Sequence, residues 1–179
     1  WVLGSLGPGT KLPTLGHTTY DFLKEAYKTA SDGLINGGCD ALLIETTQDL
    51  LQAKAATNGA RAAINESKKD IVLIAQVTIE TNGTMLMGSE IGAALNALEP
   101  IGVDLIGLNC ATGPAEMSEH LRVLSKGASI GLSVMPNAGL PILGEGGAHY
   151  PLTPNELAKA LKKFVIDYNV NLIGGCCGT

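Results

Sequence analysis

Six short apolar segments, each bounded by Gly, Asn or Asp, are the feature that most restricts how this chain can fold. Most of them lack the strict alternation of apolar and polar residues that marks a strand with one face in water. They are typical of strands buried on both faces, as in a parallel sheet covered by helices. The predicted strands are 2–6, 41–44, 71–79, 105–108, 130–135 and 172–173.

Segments of helical character lie between these strands, and several carry local start and stop signals. Thr153 can cap the last helix, Pro154 suits its first turn, and Glu156 can complete a capping box. Gly37 and Gly102 are typical of helix ends, and each leads into an apolar strand. The repeated order predicts similar units side by side, in an open doubly wound sheet or a closed barrel. The predicted helices are 20–36, 49–66, 90–98, 115–125 and 155–168.

The residues with reactive or polar side chains, which are named below, are placed along the chain in a way that favours a barrel over an open sheet. They follow several different strands, as they do at the carboxyl face of a (β/α)8 barrel, whereas an open sheet gathers them at one switch point. A complete barrel has eight strands and about 250 residues, and this chain has 179. We therefore predict an α/β fold, a (β/α)8 TIM barrel truncated to about six strand-helix units with its first two strands missing. One domain is expected over 1–179.

Composition excludes several classes of protein. The chain has 12 Lys and Arg against 17 Asp and Glu, and its longest basic run is a pair of lysines, so nucleic acid is not an expected partner. Its apolar runs are far shorter than the roughly 20 residues of a membrane-spanning helix. The first residues lack a signal-peptide pattern, and four cysteines without regular spacing do not form a disulfide framework. We expect a cytoplasmic protein with reduced thiols.

Three cysteines follow predicted strands: Cys110 follows 105–108, and the adjacent Cys176 and Cys177 follow 172–173. Thiolates are soft ligands suited to zinc, and three of them would leave a fourth tetrahedral position for substrate. Structural zinc sites usually space two ligands two to four residues apart, which is not the pattern here. Free cysteine is also a common buried apolar residue, which is our interpretation of Cys39. Spacing alone leaves both interpretations of the three cysteines open.

Longer motifs around these cysteines resemble a known family. Stretches 107–114 (Gly-Leu-Asn-Cys-Ala-Thr-Gly-Pro) and 174–179 (Gly-Gly-Cys-Cys-Gly-Thr) are similar to the paired signatures of the homocysteine methyltransferase family. Further stretches resemble its cobalamin-dependent methionine synthase branch, so the resemblance spans essentially the whole chain. These stretches are 4–8, 10–13, 43–46, 136–141 and 150–154.

The resemblance implies a (β/α)8 barrel in which Cys110, Cys176 and Cys177 bind Zn²⁺ and a methyl group is transferred to the homocysteine thiol, giving methionine. The implied donor is methylcobalamin on another module of a longer protein that also has a folate-binding module. Betaine or S-methylmethionine as donor, and a non-catalytic zinc-binding fragment, remain alternatives. An acidic residue that the family carries on an earlier strand lies outside this chain, so activity of the 179 residues alone is not expected. A metal-free barrel enzyme with an imine-forming lysine is disfavoured because no lysine lies inside an apolar strand.

Two residues near strand ends are candidates for binding the amino-acid part of the substrate. Glu45 follows the strand 41–44, and both this position and the resemblance suggest that its carboxylate binds the substrate ammonium group. Its alternative role is to cap the next helix or interact with that helix dipole. Ser5 lies in a glycine-rich segment whose backbone amides can bind the substrate carboxylate. The three histidines are expected to be solvent-exposed.

Two asparagines complete the predicted site. Asn137, after the strand 130–135, is a candidate to hydrogen-bond a ligand thiolate or to occupy the open zinc position. Its alternative role is a tight turn with the glycine that follows. Asn109, with Thr112, is expected to orient Cys110 and to cap the following helix.

Overall fold

A parallel sheet of six strands organises the computed structural model, which describes residues 1–144 and 147–179. Its order is β1-β2-β3-β4-β5-β8, so strands that follow one another along the chain are also neighbours in space. A separate antiparallel pair, β6 and β7, lies in the connection between β5 and β8. The strands are β1 (Leu3–Leu6), β2 (Ala41–Thr47), β3 (Val72–Val77), β4 (Leu105–Asn109), β5 (Gly131–Met135), β6 (Ile142–Gly144), β7 (Gly147–His149) and β8 (Leu172–Ile173).

Helices connect the parallel strands. Short 3-10 turns at Pro13–Leu15 and Glu99–Ile101 precede α1 and follow α3. A doubly wound sheet reverses its strand order at a switch point. In this sheet the strand order follows the chain from β1 to β8 without a reversal. The sheet therefore curls as part of a (β/α)8 barrel. The predicted six-strand α/β architecture is therefore confirmed. The helices are α1 (Tyr20–Asn36), α2 (Leu50–Ser67), α3 (Ile91–Leu98), α4 (Pro114–Gly127) and α5 (Pro154–Tyr168).

Several element boundaries differ from the sequence prediction. The β6–β7 pair was not predicted, because its strands have only three residues each and are fully exposed. The strand predicted to run to residue 79 ends at Val77. The capping box at Thr153, Pro154 and Glu156 is confirmed, with the Thr153 hydroxyl accepting from the Glu156 amide.

Helix α2 starts one residue later than predicted because Asp49 is its N-cap. The buried Asp49 carboxylate accepts from the Leu51 amide at 2.8 Å and from the Gln52 amide at 3.4 Å. It also accepts from the Thr14 hydroxyl at 2.7 Å, which ties the segment after β1 to the start of this helix. The alternative role of Glu45 as the cap of this helix is therefore wrong.

Both faces of the sheet are buried, which explains why its strands lack apolar-polar alternation. On the helix side, residues such as Leu42, Leu73 and Ile106 belong to the main core together with the inner faces of the helices. Cys39 also lies in this core, as expected for an apolar filler. On the opposite face, residues that alternate with these form a smaller cluster around Leu43. Full burial of one such aliphatic side chain contributes about 1.5–3 kcal/mol.

Helices α1 and α2 approach closely because α2 presents small residues to α1. A Cβ atom at Gly59 would lie 2.4 Å from the Lys24 carbonyl oxygen and 2.9 Å from the Lys28 amide nitrogen. The backbones of the two helices therefore touch at Gly59. Among the described residues, no helix is long and apolar enough to cross a membrane.

Candidate metal centre

Three cysteines meet at the carboxyl ends of neighbouring strands. Cys110 directly follows β4, and its amide donates to the Met135 carbonyl at the end of β5 at 3.1 Å. Cys176 and Cys177 follow β8, and the Cys176 amide donates to the Pro136 carbonyl at 2.9 Å. Because β5 lies between β4 and β8, these bonds place both cysteine segments beside the end of one strand.

The three sulfur atoms form a compact triangle. Cys110 Sγ lies 3.7 Å from Cys177 Sγ, which lies 4.0 Å from Cys176 Sγ. All three sulfurs lie within 4.8 Å of one another, and each residue is partly buried. A tetrahedral zinc with Zn–S bonds of about 2.3 Å has sulfur–sulfur edges of about 3.8 Å. The donor atoms therefore fit three corners of such a tetrahedron.

Electrostatics favour a cation at this triangle. Burial, together with the nearby charge of Cys110, raises the pKa of Cys176 to about 12. Burial also raises the pKa of Cys110. Three thiolates this close repel one another unless a positive ion lies between them. A borderline-soft dication such as Zn²⁺ suits a donor set made only of sulfur.

The backbone before α4 adopts an uncommon conformation. Cys110 has φ 58° and Ala111 has φ 59°, in the left-handed region that residues other than glycine rarely occupy. The Thr112 amide closes this turn by donating to the Cys110 carbonyl at 2.6 Å. Such conformations persist where surrounding contacts enforce them, and they cluster at functional sites. Here the turn directs Cys110 toward the other two cysteines instead of continuing β4.

Asn109 connects β2 to the cysteine triangle. Its side-chain oxygen accepts from the Thr46 amide at 2.7 Å, and its Nδ2 donates to the Thr46 hydroxyl at 2.7 Å. The same Nδ2 lies 3.9 Å from Cys176 Sγ. Thr46 has φ 59°, so this pair of bonds holds a strained residue at the β2 end. Asn109 is 1% exposed, which makes each of these bonds costly to lose.

The predicted role of Asn109 and Thr112 as caps of the following helix was wrong. The N-cap of α4 is Gly113, whose amide donates to the Glu116 carboxylate at 3.1 Å. Asn109 is instead turned toward Thr46 and Cys176. A sequence pattern cannot reveal this, because the partners are more than 60 residues away.

Asn137 fixes the second adjacent cysteine through the backbone. Its side-chain oxygen accepts from the Cys177 amide at 3.0 Å, and its own amide donates to the Thr112 carbonyl at 3.1 Å. Asn137 also takes part in the tight turn that was predicted as its alternative role. In this turn Gly139 has φ 92°, and the Gly139 amide donates to the Asn137 carbonyl. Its contact with a ligand sulfur or with the open zinc position remains a prediction.

Glu45 and Ser5 meet at the ends of β2 and β1. The Ser5 hydroxyl donates to the Glu45 carboxylate, which is half-buried. Their contact with substrate remains a prediction. His17 and His149 are exposed as expected, whereas His120 is half-buried and its pKa is lowered by that burial.

One residue beside the cysteines was not assigned a role from the sequence. Tyr150 packs on Gly178, immediately after Cys177. The stretch 150–154 is among the family-like motifs, so a signal was present. The contact between the Tyr150 ring and Gly178 depends on how the segment before α5 folds against the segment after β8.

The fold and these cysteines define a parallel α/β barrel with a candidate thiolate metal centre at its carboxyl edge. The family model for homocysteine S-methyltransferase matches residues 1–179, and the chain belongs to this family. It is 64% identical over 179 residues to methionine synthase from Mycobacterium tuberculosis (strain ATCC 25618 / H37Rv). It is 63% identical to methionine synthase from Mycobacterium leprae (strain TN). The chain spans 15% of the length of each of these two relatives.

Solved structures of similar fold include the homocysteine methyltransferase MmuM from Escherichia coli. The apo form superposes with a TM-score of 0.76 at 21% identity, covering 99% of this chain and 58% of that one. The metallated form gives a TM-score of 0.65 at 20% identity, covering 87% of this chain and 48% of that one. At these identities the likeness establishes the fold.

Proposed function

We propose that residues 1–179 belong to the homocysteine-activating domain of a methionine synthase. Cys110, Cys176 and Cys177 bind Zn²⁺, and the methyl group comes from methylcobalamin on another module. The observation that carries this proposal is the sulfur triangle, whose 3.7 Å and 4.0 Å edges match a zinc–thiolate tetrahedron. High identity to two methionine synthases along the whole chain supports the choice of reaction.

The reaction needs a thiolate, and the chain needs a way to produce one. A free thiol has a pKa near 8.5, so most homocysteine is protonated at neutral pH. A zinc ion held by Cys110, Cys176 and Cys177 would supply the chemistry that removes this proton, because a bound dication strongly lowers the pKa of a coordinating thiol. The chain contributes an electron-rich set of three thiolates. It needs no general base at the methyl carbon, since that carbon neither gains nor loses a proton.

Glu45 and Ser5 are proposed to bind the amino-acid end of homocysteine. The Glu45 carboxylate is half-buried and complements an ammonium group. The Ser5 hydroxyl holds it in place by donating to one of its oxygens. The backbone amides of the glycine-rich segment around Ser5 are available for the substrate carboxylate.

The metal assignment is tested with Cys110→Ala in the full-length protein, purified under reducing conditions. We expect stoichiometric zinc in the unmodified protein and loss of most of it in the variant after brief exposure to a chelator. Cys39→Ala is the matched control, because Cys39 is a buried thiol outside the triangle. Its zinc content should not change. Equal zinc retention in both variants would show that Cys110 is not a ligand.

The donor assignment is tested by following methionine formation with and without added methylcobalamin. We expect an absolute requirement for the corrinoid. Methionine formation from betaine or S-methylmethionine without any corrinoid would contradict this choice of donor. Zinc binding without measurable homocysteine binding would instead support a non-catalytic zinc domain.

A further inference from the structure

The end of β2 is irregular directly beside Glu45. The register of β2 against β3 shifts between Ile44 and Thr47, and Thr46 within this interval has φ 59°. Thr46 is β-branched, so this left-handed conformation is costly unless surrounding contacts enforce it. Irregularities of this kind redirect side chains and are common beside active sites. The contacts that hold Thr46 therefore also decide where the neighbouring Glu45 carboxylate lies.

Asn109 supplies these contacts from a strand that is not a neighbour of β2. Its Oδ1 accepts from the Thr46 amide and its Nδ2 donates to the Thr46 hydroxyl, both at 2.7 Å. Strand β3 lies between β2 and β4 in the sheet, so this side chain joins two strand ends across a third. Because Asn109 is buried, the loss of either bond would leave a buried polar group without a partner.

The two bonded residues each adjoin one part of the proposed substrate site. Thr46 directly follows Glu45, which is proposed to bind the substrate ammonium group, and Asn109 directly precedes Cys110, a proposed zinc ligand. Side chains of alternate strand residues share a face, so Asn109 and Glu45 belong to the face of the sheet that carries the cluster around Leu43. The Asn109–Thr46 pair thus connects the group that would hold the substrate nitrogen to the group that would hold its sulfur.

We propose that Asn109 is a positioning residue that sets the spacing between Glu45 and the metal centre, and with it the length of the amino-acid thiol that the site accepts. This inference rests on the proposed function and deepens it. An amino-acid thiol uses both contacts only if its nitrogen and its sulfur are spaced like the Glu45 carboxylate and the metal. Cysteine is one methylene shorter than homocysteine, a loss of at most about 1.5 Å in reach. A site spaced for homocysteine therefore holds cysteine by only one of its two groups.

This selectivity requires a rigid spacing. Without the Asn109 bonds, Thr46 would relax toward the extended conformation that β-branched residues prefer, and Glu45 would move with it. A mobile Glu45 would follow the shorter thiol, so the protein would discriminate less between the two amino acids. Asn109 Nδ2 also lies 3.9 Å from Cys176 Sγ. The same side chain therefore approaches the segment after β8 as well as the end of β2.

The test measures the dissociation constants of L-homocysteine and L-cysteine by titration calorimetry in the full-length zinc-loaded protein. In Asn109→Ala the ratio of the cysteine Kd to the homocysteine Kd should fall about tenfold, since a contact to a charged group contributes at least about one decade. Thr46→Val keeps the β-branched shape and removes one of the two bonds. It should lower the ratio by about threefold, and it decides the question if Asn109→Ala does not fold. Thr46→Ser retains the hydroxyl and should restore the original ratio.

A second readout needs neither metal nor substrate. The Thr46 amide donates to Asn109, so peptides from the end of β2 should exchange their amide hydrogens faster in metal-free, reduced Asn109→Ala protein, by about tenfold at this amide. Thr47→Val is the matched control. The Thr47 hydroxyl is buried and donates to the Gln76 carbonyl at 2.9 Å, so this variant loses a hydroxyl bond to β3 instead of the bond to Asn109. Neither the exchange of the Thr46 amide nor the ratio of dissociation constants should change in it.

The outcomes separate this inference from the proposed function. An unchanged ratio in Asn109→Ala or, if that variant does not fold, in Thr46→Val, with zinc content intact, would overturn the role of Asn109. A ratio lowered equally in Thr47→Val would also overturn it, because the cause would then be a general loss of order at the end of β2. Unchanged homocysteine affinity in Glu45→Gln would refute the ammonium contact itself. The inference would then fall with that contact, even if hydrogen exchange showed Asn109 holding Thr46.

Discussion

Replacing Gly59 by alanine is expected to weaken the pairing of α1 and α2, although the same change favours an isolated helix. Alanine in place of glycine inside a helix contributes about 1 kcal/mol. At Gly59 the added Cβ would lie 2.4 Å from the Lys24 carbonyl oxygen and 2.9 Å from the Lys28 amide nitrogen, where ordinary contact begins at 3.4 Å. These are backbone atoms, so the helices must separate by about 1 Å. Overpacking of this kind costs about 1–3 kcal/mol. The cost at Gly59 should lie at the upper end of this range, because the contacting atoms belong to the rigid backbone of α1. The expected net loss is about 2 kcal/mol.

Gly33→Ala is the matched control for this substitution. Gly33 is an exposed position inside α1, and a Cβ there would meet nothing within 4 Å. The substitution at Gly33 therefore changes only the intrinsic helix propensity, which is higher for alanine than for glycine. This variant should be more stable than the unmodified protein by about 0.5–1 kcal/mol. Native-state hydrogen exchange of peptides from α1 and α2, in the full-length protein, measures both changes. The reasoning is refuted if the Gly59→Ala variant exchanges as slowly as the Gly33→Ala variant.

Two further variants test the support of the site and of α5. In Gly107→Ala the new Cβ would lie 1.8 Å from the Ser133 carbonyl oxygen. We expect β4 and β5 to separate, with a lower unfolding temperature and reduced zinc content; unchanged zinc content would count against this. Hydrogen bonds from Thr153 lower the pKa of Glu156 below its ordinary 4.5. Folding therefore favours the ionised Glu156 carboxylate. The stability that this carboxylate contributes to the folded state is present above pH 4.5 and is lost as the pH falls through the lowered pKa. Exchange in the first turn of α5, corrected for intrinsic rates, should accelerate at acid pH in the unmodified protein but not in Glu156→Gln; identical acid responses would refute this.

The local patterns of the sequence predicted the secondary structure well because their causes are local. Thr153 and Glu156 form the expected capping box since both partners lie within one helical turn. Helix α1 has the predicted bounds, Tyr20–Asn36. The β6–β7 pair was missed because three-residue exposed strands have no apolar pattern to detect.

The sequence also indicated which sulfurs to examine, but it left two interpretations of them open. A buried apolar cysteine and a metal ligand share the same residue type, and either can lie next to a buried strand, as Cys39 does just before β2 and Cys110 does just after β4. Cys39 and Cys110 illustrate this: the first lies in the core and the second in the sulfur triangle. The difference depends on neighbouring strand ends, which only the folded sheet brings together.

The sequence by itself determined the order of strands and helices, the likeness to a family and the identity of the candidate ligands. Only the tertiary structure decided the contacts around those ligands. Asn109 bonds Thr46 and lies beside Cys176, Asn137 holds the Cys177 amide, and Tyr150 covers the adjacent glycine. The physical reason is distance along the chain. Helix signals act over a few residues, whereas these contacts join segments tens of residues apart, whose meeting depends on how the whole sheet curls.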